Sequence, residues 1–399
     1  MTNWKEFKLS DLMQIKYGKD HKHLADGSYP LYGSGGIMRY VEKPLYEEES
    51  ILIPRKGTLS NLFYLNEPFW SVDTMFWSII NKELALPKYL YYTLKSFDLA
   101  SLNVGSAVPS LTTQVLSEVL VSVPDIDTQT AIAEILSSLD DKIELNNKIN
   151  QELENLAQTL FKQWFIDFEF PANLADPALS GDEGYKSSGG EMVDSELGEI
   201  PQGWEVATIN DITEVVTKGT TPTTIGGKFT DSGINFIKVE SLTEQGAFIK
   251  SKFGFIDEDT NQLLRRSIIK EGDVLFSIAG TIGRVAIVTK DILPANTNQA
   301  IAIIRPNQVN SNFLKLLMKS ALIQNDTKSN VVQAVQANLS LGIIKATKFI
   351  KPPTPILSFF KSTLLEVFEN VNLLTEENQE LTNLRDTLLP KLISGELKI

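Results

Sequence analysis

The chain has 399 residues, enough for two domains with a core each, and 42% hydrophobic against 22% charged residues is the balance of a globular protein. It has no Cys and only two His, His21 and His23, which excludes disulfides, a thiol nucleophile and a thiolate or histidine-rich metal centre. The net charge of −13 argues at first against a polyanionic ligand, but it is localised: −2 over residues 1–125, −12 over 126–204, +3 over 205–350 and −2 over 351–399.

In chain order, the opening residues Met1–Glu6 lack the basic-then-apolar layout of a signal peptide, and no apolar run approaches the ~18 residues of a membrane span. The expected location is the cytoplasm. β-rich runs follow at Ser50–Pro54 and Phe69–Ile80, separated by Gly, Asn and Asp turns. A helix-like stretch surrounds Tyr89–Ser96, and a strand end marked by proline closes the block at Val119–Pro124. From Ile132 a 3,4-spaced series runs Ile132, Ile135, Leu139, Lys142, Asn146, Ile149, Leu153, Leu156, Leu160, the pattern of a helix that packs lengthwise. Residues 171–203, rich in Gly, Ser, Asp and Pro, read as a joining loop.

After that loop the chain repeats itself. Trp4 opens a segment whose Leu9, Asp11 and Leu12 are matched by Ile209, Asp211 and Ile212 behind Trp204. Gly57-Thr58-Leu59 matches Gly280-Thr281-Ile282, and Leu94-Lys95-Ser96 matches Met318-Lys319-Ser320. Strand-like runs recur at Val274–Phe276, Val285–Val288 and Ala300–Ile304, and a strand end at Thr347–Pro353. A second helical series, Phe360, Thr363, Val367, Asn370, Leu374, Glu377, Leu381, Leu384, Leu388, lies 228 residues after the first. Both series turn polar in the middle, and two antiparallel helices bring such middles together.

The expected fold class is therefore α+β: two pseudo-repeated mixed α/β domains separated by two long antiparallel coiled-coil helices. The boundaries are 1–126 for the first domain, 127–170 for its long helix, 171–203 for the linker, 204–353 for the second domain and 354–399 for the C-terminal helix.

No chemistry of catalysis stands out. The chain lacks a Gly-x-x-x-x-Gly-Lys-[Ser/Thr] loop, a Gly-x-Ser-x-Gly elbow, a His-Glu-x-x-His helix and an Asn/Asp-Pro-Pro-aromatic methyltransferase motif. Gly33-Ser34-Gly35-Gly36 reads as a turn, and the paired acids Asp140-Asp141 and Glu376-Glu377 as solvated helix faces. No cofactor and no enzymatic activity are expected.

The polar residues of the turn-rich segments suit a surface that reads DNA. In the first domain these are Lys16, Lys19, Lys22, Arg39, Tyr40, Arg55, Lys56, Ser60 and Asn61. In the second they are Lys218, Thr220, Thr221, Thr223, Thr224, Lys228, Lys238, Arg284, Asn296, Asn298, Gln299, Gln333 and Gln336. Lys and Arg hold phosphates or guanine, Asn and Gln pair with adenine, and Thr serves either role. Ordinary solvated surface is the competing reading for each residue taken singly.

Two further stretches, Leu160-Phe161-Lys162-Gln163-Trp164-Phe165-Ile166-Asp167-Phe168-Glu169-Phe170-Pro171 and Leu384 through Leu397 with its Leu389-Pro390-Lys391-Leu392 core, carry a family likeness. They closely resemble the central and C-terminal conserved regions of Type I restriction-modification specificity subunits. The entry Leu197-Gly198-Glu199-Ile200-Pro201 and the segment Gly219-Thr220-Thr221-Pro222 look similar to that family's second recognition domain. The resemblance implies two target-recognition domains that each read half of a bipartite, asymmetric double-stranded DNA sequence. It also implies two modification (methyltransferase) subunits bound to the conserved helices, and restriction subunits that translocate and cleave. Phe161, Trp164, Phe165, Leu389 and Leu392 are the expected partner contacts, as bulky apolar residues leaving the heptad seam. The first domain departs from the pattern, with Gly18-Lys19-Asp20 where the second has Gly219-Thr220-Thr221-Pro222. The alternative function is a stand-alone sequence-specific DNA-binding regulator; a coiled-coil scaffold would leave two large domains without a purpose.

Overall fold

A computed structural model describes residues 4–105, 108–177, 183–332 and 338–399. The fold is α+β, with one domain design built twice and long helices attached to each copy. The chain divides into two units, residues 1–147 with 375–399 and residues 148–374. No helix among the described residues is long and apolar enough to cross a membrane.

In the first unit the strands are β1 (Lys5–Lys8), β2 (Met13–Tyr17), β3 (Asp26–Gly33), β4 (Gly36–Val41), β5 (Ser50–Pro54), β6 (Phe63–Leu65), β7 (Trp70–Ser71), β8 (Met75–Ile80) and β9 (Leu120–Val123). They form an antiparallel sheet of order β2-β8-β5-β6, a second sheet β4-β3-β7 with β3 and β7 parallel, and a ribbon β1-β9. Strand β5, Ser-Ile-Leu-Ile-Pro, is buried throughout and therefore lacks the polar alternation of a half-exposed strand.

The second unit has a hairpin ahead of its sheets, β10 (Met192–Ser195) and β11 (Gly198–Pro201), so the segment expected as a plain loop carries a hairpin and buries Tyr185 against Phe170. Its domain strands are β12 (Glu205–Thr208), β13 (Thr213–Lys218), β14 (Phe229–Thr230), β15 (Ile234–Ile237), β16 (Gly254–Ile256), β17 (Val274–Ser277), β18 (Val285–Ile287), β19 (Ala295–Thr297), β20 (Ile301–Pro306) and β21 (Lys348–Lys351). The first sheet repeats as β13-β20-β17-β18, the second as β14-β16-β15-β19 with β15 and β19 parallel, and the ribbon as β12-β21.

The matched residues of the two copies hold matched positions for physical reasons. Asp11 accepts the Lys8 amide and Asp211 the Thr208 amide, each capping a single helical turn. That turn buries Leu9 and Leu12 in one copy and Ile209 and Ile212 in the other. Gly57 and Gly280 both follow a central strand at positive φ, +94° and +71°, where a side chain would be strained.

The long helix Ile126–Phe165 packs antiparallel to C-terminal segments in both units. In the first unit Ile132, Ala133 and Leu136 share a core with Leu389 and Leu392, and Asp140 accepts a bond from Arg385 at 2.6 Å. The polar middles do meet there: buried Asn146 donates to Glu377 at 2.6 Å and Asn378 at 2.9 Å, with Lys142 3.3 Å from Glu377. In the second unit Ala157, Phe161 and Trp164 pack on Phe360 and Leu364. The 228-residue offset between the helical series therefore holds. The phase needs a correction: Ile149, Leu156, Asn370 and Leu384 are exposed, and the covered positions fall one residue later, at Asn150, Ala157, Val371 and Arg385.

Each domain's short helix is tied to a long one by charge. Pro87–Lys95 offers the Tyr92 hydroxyl to Asp140 at 2.8 Å. In the second unit Ser311–Lys319 places Lys315 and Lys319 2.6 and 2.9 Å from buried Glu154. Burial pushes the Glu154 carboxyl up, but the two ammonium groups outweigh it and hold the group below the usual carboxylate range. A depressed folded-state pKa stabilises above the unfolded value, and that stabilisation is lost as pH falls through the folded one. Glu154→Gln leaves two buried ammonium groups without their counter-charge and should cost about 3–5 kcal/mol at pH 7. Urea unfolding of both proteins from pH 7 downwards checks this, and their difference should shrink toward the acid end.

Candidate nucleic-acid interface

In the first unit, hydrogen bonds gather four loops at one end of the sheets. The chain leaves β2 through Gly18, whose amide donates to the Met75 carbonyl at 3.0 Å, and Lys19 donates to Ser71 at 2.8 Å. A Cβ on Gly18 would lie 2.0 Å from the Val72 oxygen, so only glycine permits this approach. Arg55 donates to the Asp73 carbonyl at 3.1 Å and lies 5.3 Å over the Tyr17 ring. Asn61 donates to the Ser34 carbonyl at 2.9 Å, tying the loop after β5 to the β3–β4 hairpin tip. Lys19, Lys22, Lys56, Ser60 and Asn61 are exposed on these loops, and Lys16 is half-buried on β2. Arg39 is differently placed. It bonds Asp26 at 2.8 Å and the His21 and Leu24 carbonyls at 2.8 and 3.0 Å, which commits its guanidinium to bracing a loop.

The second unit gathers its loops at the corresponding end. Gly219 leaves β13 with its amide on the Asn298 carbonyl at 3.1 Å, and its Cβ would lie 1.7 Å from the Thr297 oxygen. The Gly18 and Gly219 turns are thus equivalent, despite the different residues that follow them. Thr221 donates to the Gln299 side chain at 2.6 Å, and Thr224 to the Thr221 carbonyl at 2.7 Å. Asn298 accepts the Ala300 amide at 3.0 Å. Lys218, Thr223, Lys228 and Gln299 are exposed, while Thr220, Thr221 and Asn298 are partly covered. Lys228 stands 3.5 Å from Asp257, and Lys238 lies 5.4 Å over Phe229.

Two residues expected on this surface serve the fold. Asn296 is fully buried, bonded to Ser267 at 2.7 Å and Asn261 at 2.9 Å, because a parallel strand edge beneath the loops needs its polar groups satisfied. Arg284 donates to the Val239 and Leu242 carbonyls at 3.1 and 2.7 Å, holding the connection between β15 and β16. Gln333 and Gln336 lie outside the described residues.

What the polar search missed is apolar. The tip of the first unit's β3–β4 hairpin exposes Ile37 and Met38, 48% and 59% accessible, with Tyr40 and Tyr17 half exposed nearby in the loop cluster. The signal was available: two apolar residues directly follow the Gly35-Gly36 turn, where a turn tip ordinarily carries polar ones.

The aromatic residues expected to meet a partner are not an exposed cluster. Phe161, Trp164 and Phe165 are only 3%, 5% and 3% accessible. Phe165 meets Phe313 and Phe360 edge-on at 5.1 and 4.7 Å and Trp204 at 5.9 Å, and Trp164 stacks on Phe359 at 6.0 Å. Leu389 and Leu392 are likewise buried in the first unit's core. Such rings contribute through burial, which helix ends rich in aromatics achieve by folding back on their own domain.

A family model described as a Type I restriction modification DNA specificity domain matches residues 1–155 and 201–383. The chain is 30% identical over 392 residues to the Type I restriction enzyme MjaIX specificity subunit of Methanocaldococcus jannaschii, covering 95% of this chain and 86% of that one. It is 28% identical over 367 residues to the HindI specificity subunit of Haemophilus influenzae, with 79% of each covered. Its fold is similar to that in a crystal structure of a Type-I restriction-modification system S subunit from M. genitalium, with a TM-score of 0.57 at 16% identity over 98% of this chain and 96% of that one.

Because Trp164 and Phe165 are core residues, replacing either with Ala should cost about 3–5 kcal/mol. Urea unfolding measures it; a variant as stable as the parent would return these rings to the list of partner contacts.

Proposed function

The chain belongs to the family of Type I restriction-modification DNA specificity subunits, and from that premise we propose that it reads a bipartite, asymmetric DNA sequence, one half with each domain, without a catalytic step of its own. One observation carries the reading. A four-stranded sheet in the same order, beside a second sheet that gains the strand β14 in the later copy, ends twice in a loop cluster built on a glycine turn, Gly18 in one and Gly219 in the other, while the side chains on those clusters differ. A duplicated scaffold with divergent loops suits two different half-sites.

In this proposal residues 1–126 and 204–353 are the recognition domains, 127–170 and 354–399 their conserved helices, and 171–203 the joining segment. Lys16, Lys19, Lys22, Lys56, Lys218 and Lys228 hold phosphates, while Arg55, Ser60, Asn61, Thr220, Thr221, Thr223, Lys238, Asn298 and Gln299 face base edges or the adjoining backbone. Two modification subunits supply the methyl-transfer chemistry, restriction subunits supply cleavage, and the complex works in the cytoplasm.

The first test is exchange of residues 205–350 for the equivalent block of another family member. Sequencing of methylated bases in cells carrying the hybrid should show one half of the recognised sequence changed and the other kept. A change in both halves overturns the proposal of independent readers.

Partner docking is better assigned to the aliphatic residues that the helix packing leaves out. These are Leu145 and Leu384 in the first unit and Ile149, Leu156 and Leu373 in the second, all exposed on otherwise polar helices. Leu145→Glu with Leu156→Glu should abolish co-purification with the modification subunits while leaving the urea midpoint of the chain within about 0.5 kcal/mol. Intact assembly of that double variant would rule this surface out.

A further inference from the structure

We propose that the first domain reads part of its half-site through the C5-methyl groups of thymine, with Ile37 and Met38 as the contacting side chains. This deepens the DNA-reading proposal above and depends on it. The observation is the hairpin tip itself. β3 and β4 pair Gly33 with Gly36 and Tyr32 with Ile37, and an irregularity between Leu31 and Tyr32 sets Met38 out of the regular register. Both side chains are consequently exposed, Met38 over the space left by the missing Cβ of Gly33, whose Cβ would come 2.6 Å from the Met38 sulfur. They border a depression of about 480 Å³ that His21, Val72, Asp73 and Thr74 complete.

Exposing two large apolar groups at a turn costs solubility and contributes nothing to this domain's core, so an apolar ligand group is the fitting occupant. The surroundings narrow the class of ligand. Lys19, Lys22, Arg55 and Lys56 stand on loops hydrogen-bonded around the same depression, a basic rim suited to phosphates. Among base edges in the major groove, only thymine presents a methyl group, and aliphatic side chains are its ordinary readers. The second domain differs at the corresponding connection, between β15 and β16, where Val239, Leu242 and Ile249 line its depression together with Thr243, Glu244, Gln245, Lys252 and Arg284, but none of the three apolar side chains is exposed as Ile37 and Met38 are. The exposed apolar pair is therefore a feature of the first domain's connection and not of the second's.

Replacing thymine by deoxyuridine removes the methyl and nothing else. The assembled methyltransferase complex is given synthetic duplexes carrying its mapped recognition sequence, with each thymine replaced in turn. At least one replacement in a single half-site should lower kcat/KM for methylation about four-fold, the effect of losing one buried methyl-sized group. Ile37→Ser with Met38→Ser should abolish that difference, methylating thymine and deoxyuridine duplexes alike. Deoxyuridine accepted at every position, a sensitivity unchanged in the double variant, or a sequence without thymine in the half-site concerned overturns the proposal. So does loss of subunit assembly in the double variant, which would make the tip a protein contact. Failure of the parent complex to methylate its mapped sequence at all would instead remove the DNA-reading proposal beneath it.

Discussion

Asn146 is fully buried, and its amide donates at once to Glu377 and to Asn378 on the C-terminal helix. Asn378 in turn donates to Asn147 at 3.0 Å, and Lys142 reaches Glu377. Sliding one helix by a turn would strand a buried amide without partners, at a cost of about 1–3 kcal/mol. Apolar residues alone tolerate such a slip, which is why single polar positions in helix seams specify register. Once the register is set, Asp140 faces Arg385, and its second oxygen is left for Tyr92. The helix Pro87–Lys95 therefore has one place to sit, and behind it the sheet that carries the Gly18 and Arg55 loops. In the second unit Glu154 does the same for the helix Ser311–Lys319. The position of each reading surface within its unit traces back to a few buried polar contacts on a long helix.

Much of the architecture could be read from the sequence because the duplication preserves capping and turn chemistry as well as hydrophobicity. Asp11 and Asp211 recur because a one-turn helix needs its first amide accepted, and Gly57 and Gly280 because the backbone there is left-handed. The phase of the long helices was harder. The periodic series includes Ile149 and Leu156, yet the covered positions beside them are Asn150 and Ala157, and Asn378 and Arg385 on the other helix. Ile132, Leu139, Asn146, Leu153 and Leu160 are covered as the series has them, and the slip at Ile149 and Leu156 falls where an amide and a small residue replace apolar ones in the seam. Counting the offset between copies survived this because both copies shift together.

The candidate surfaces divide differently: the sequence marks their segments, while the fold decides which of their residues are free. The same Arg that suits a phosphate suits a cluster of backbone carbonyls, and Arg39 and Arg284 satisfy carbonyls. Asn296 lies two residues from Asn298, but one lies within a buried parallel strand and the other begins the loop beyond it. Strand alternation and the last ladder bond decide between them, and both depend on a partner strand distant in sequence. Conversely, Ile37 and Met38 are apolar and by type belong to a core, yet they are exposed. Their exposure follows from a register irregularity that the sequence alone does not reveal.

Several of the chain's cations are engaged within the fold. Arg305 is paired with Asp273, Arg385 with Asp140, and Lys315 and Lys319 with Glu154, so these cations neutralise the interior and contribute no outward field. Among the described residues, Lys16, Lys19, Lys22, Lys56 and Lys218 take part in no such ion pair, and they sit on or beside the loop clusters. Each phosphate contact adds only about 0.9 to the salt dependence of binding, so a handful divided between two domains holds duplex DNA weakly at cellular ionic strength. A surface so poor in free charge is suited to discriminating among sequences and poorly suited to holding them. On the function proposed above, the holding would fall to the partner subunits. Under that proposal the loops are free to diverge, Ile37 and Met38 exposed in one domain and Thr223 and Gln299 in the other, because neither domain would have to supply the affinity that keeps a complex on DNA.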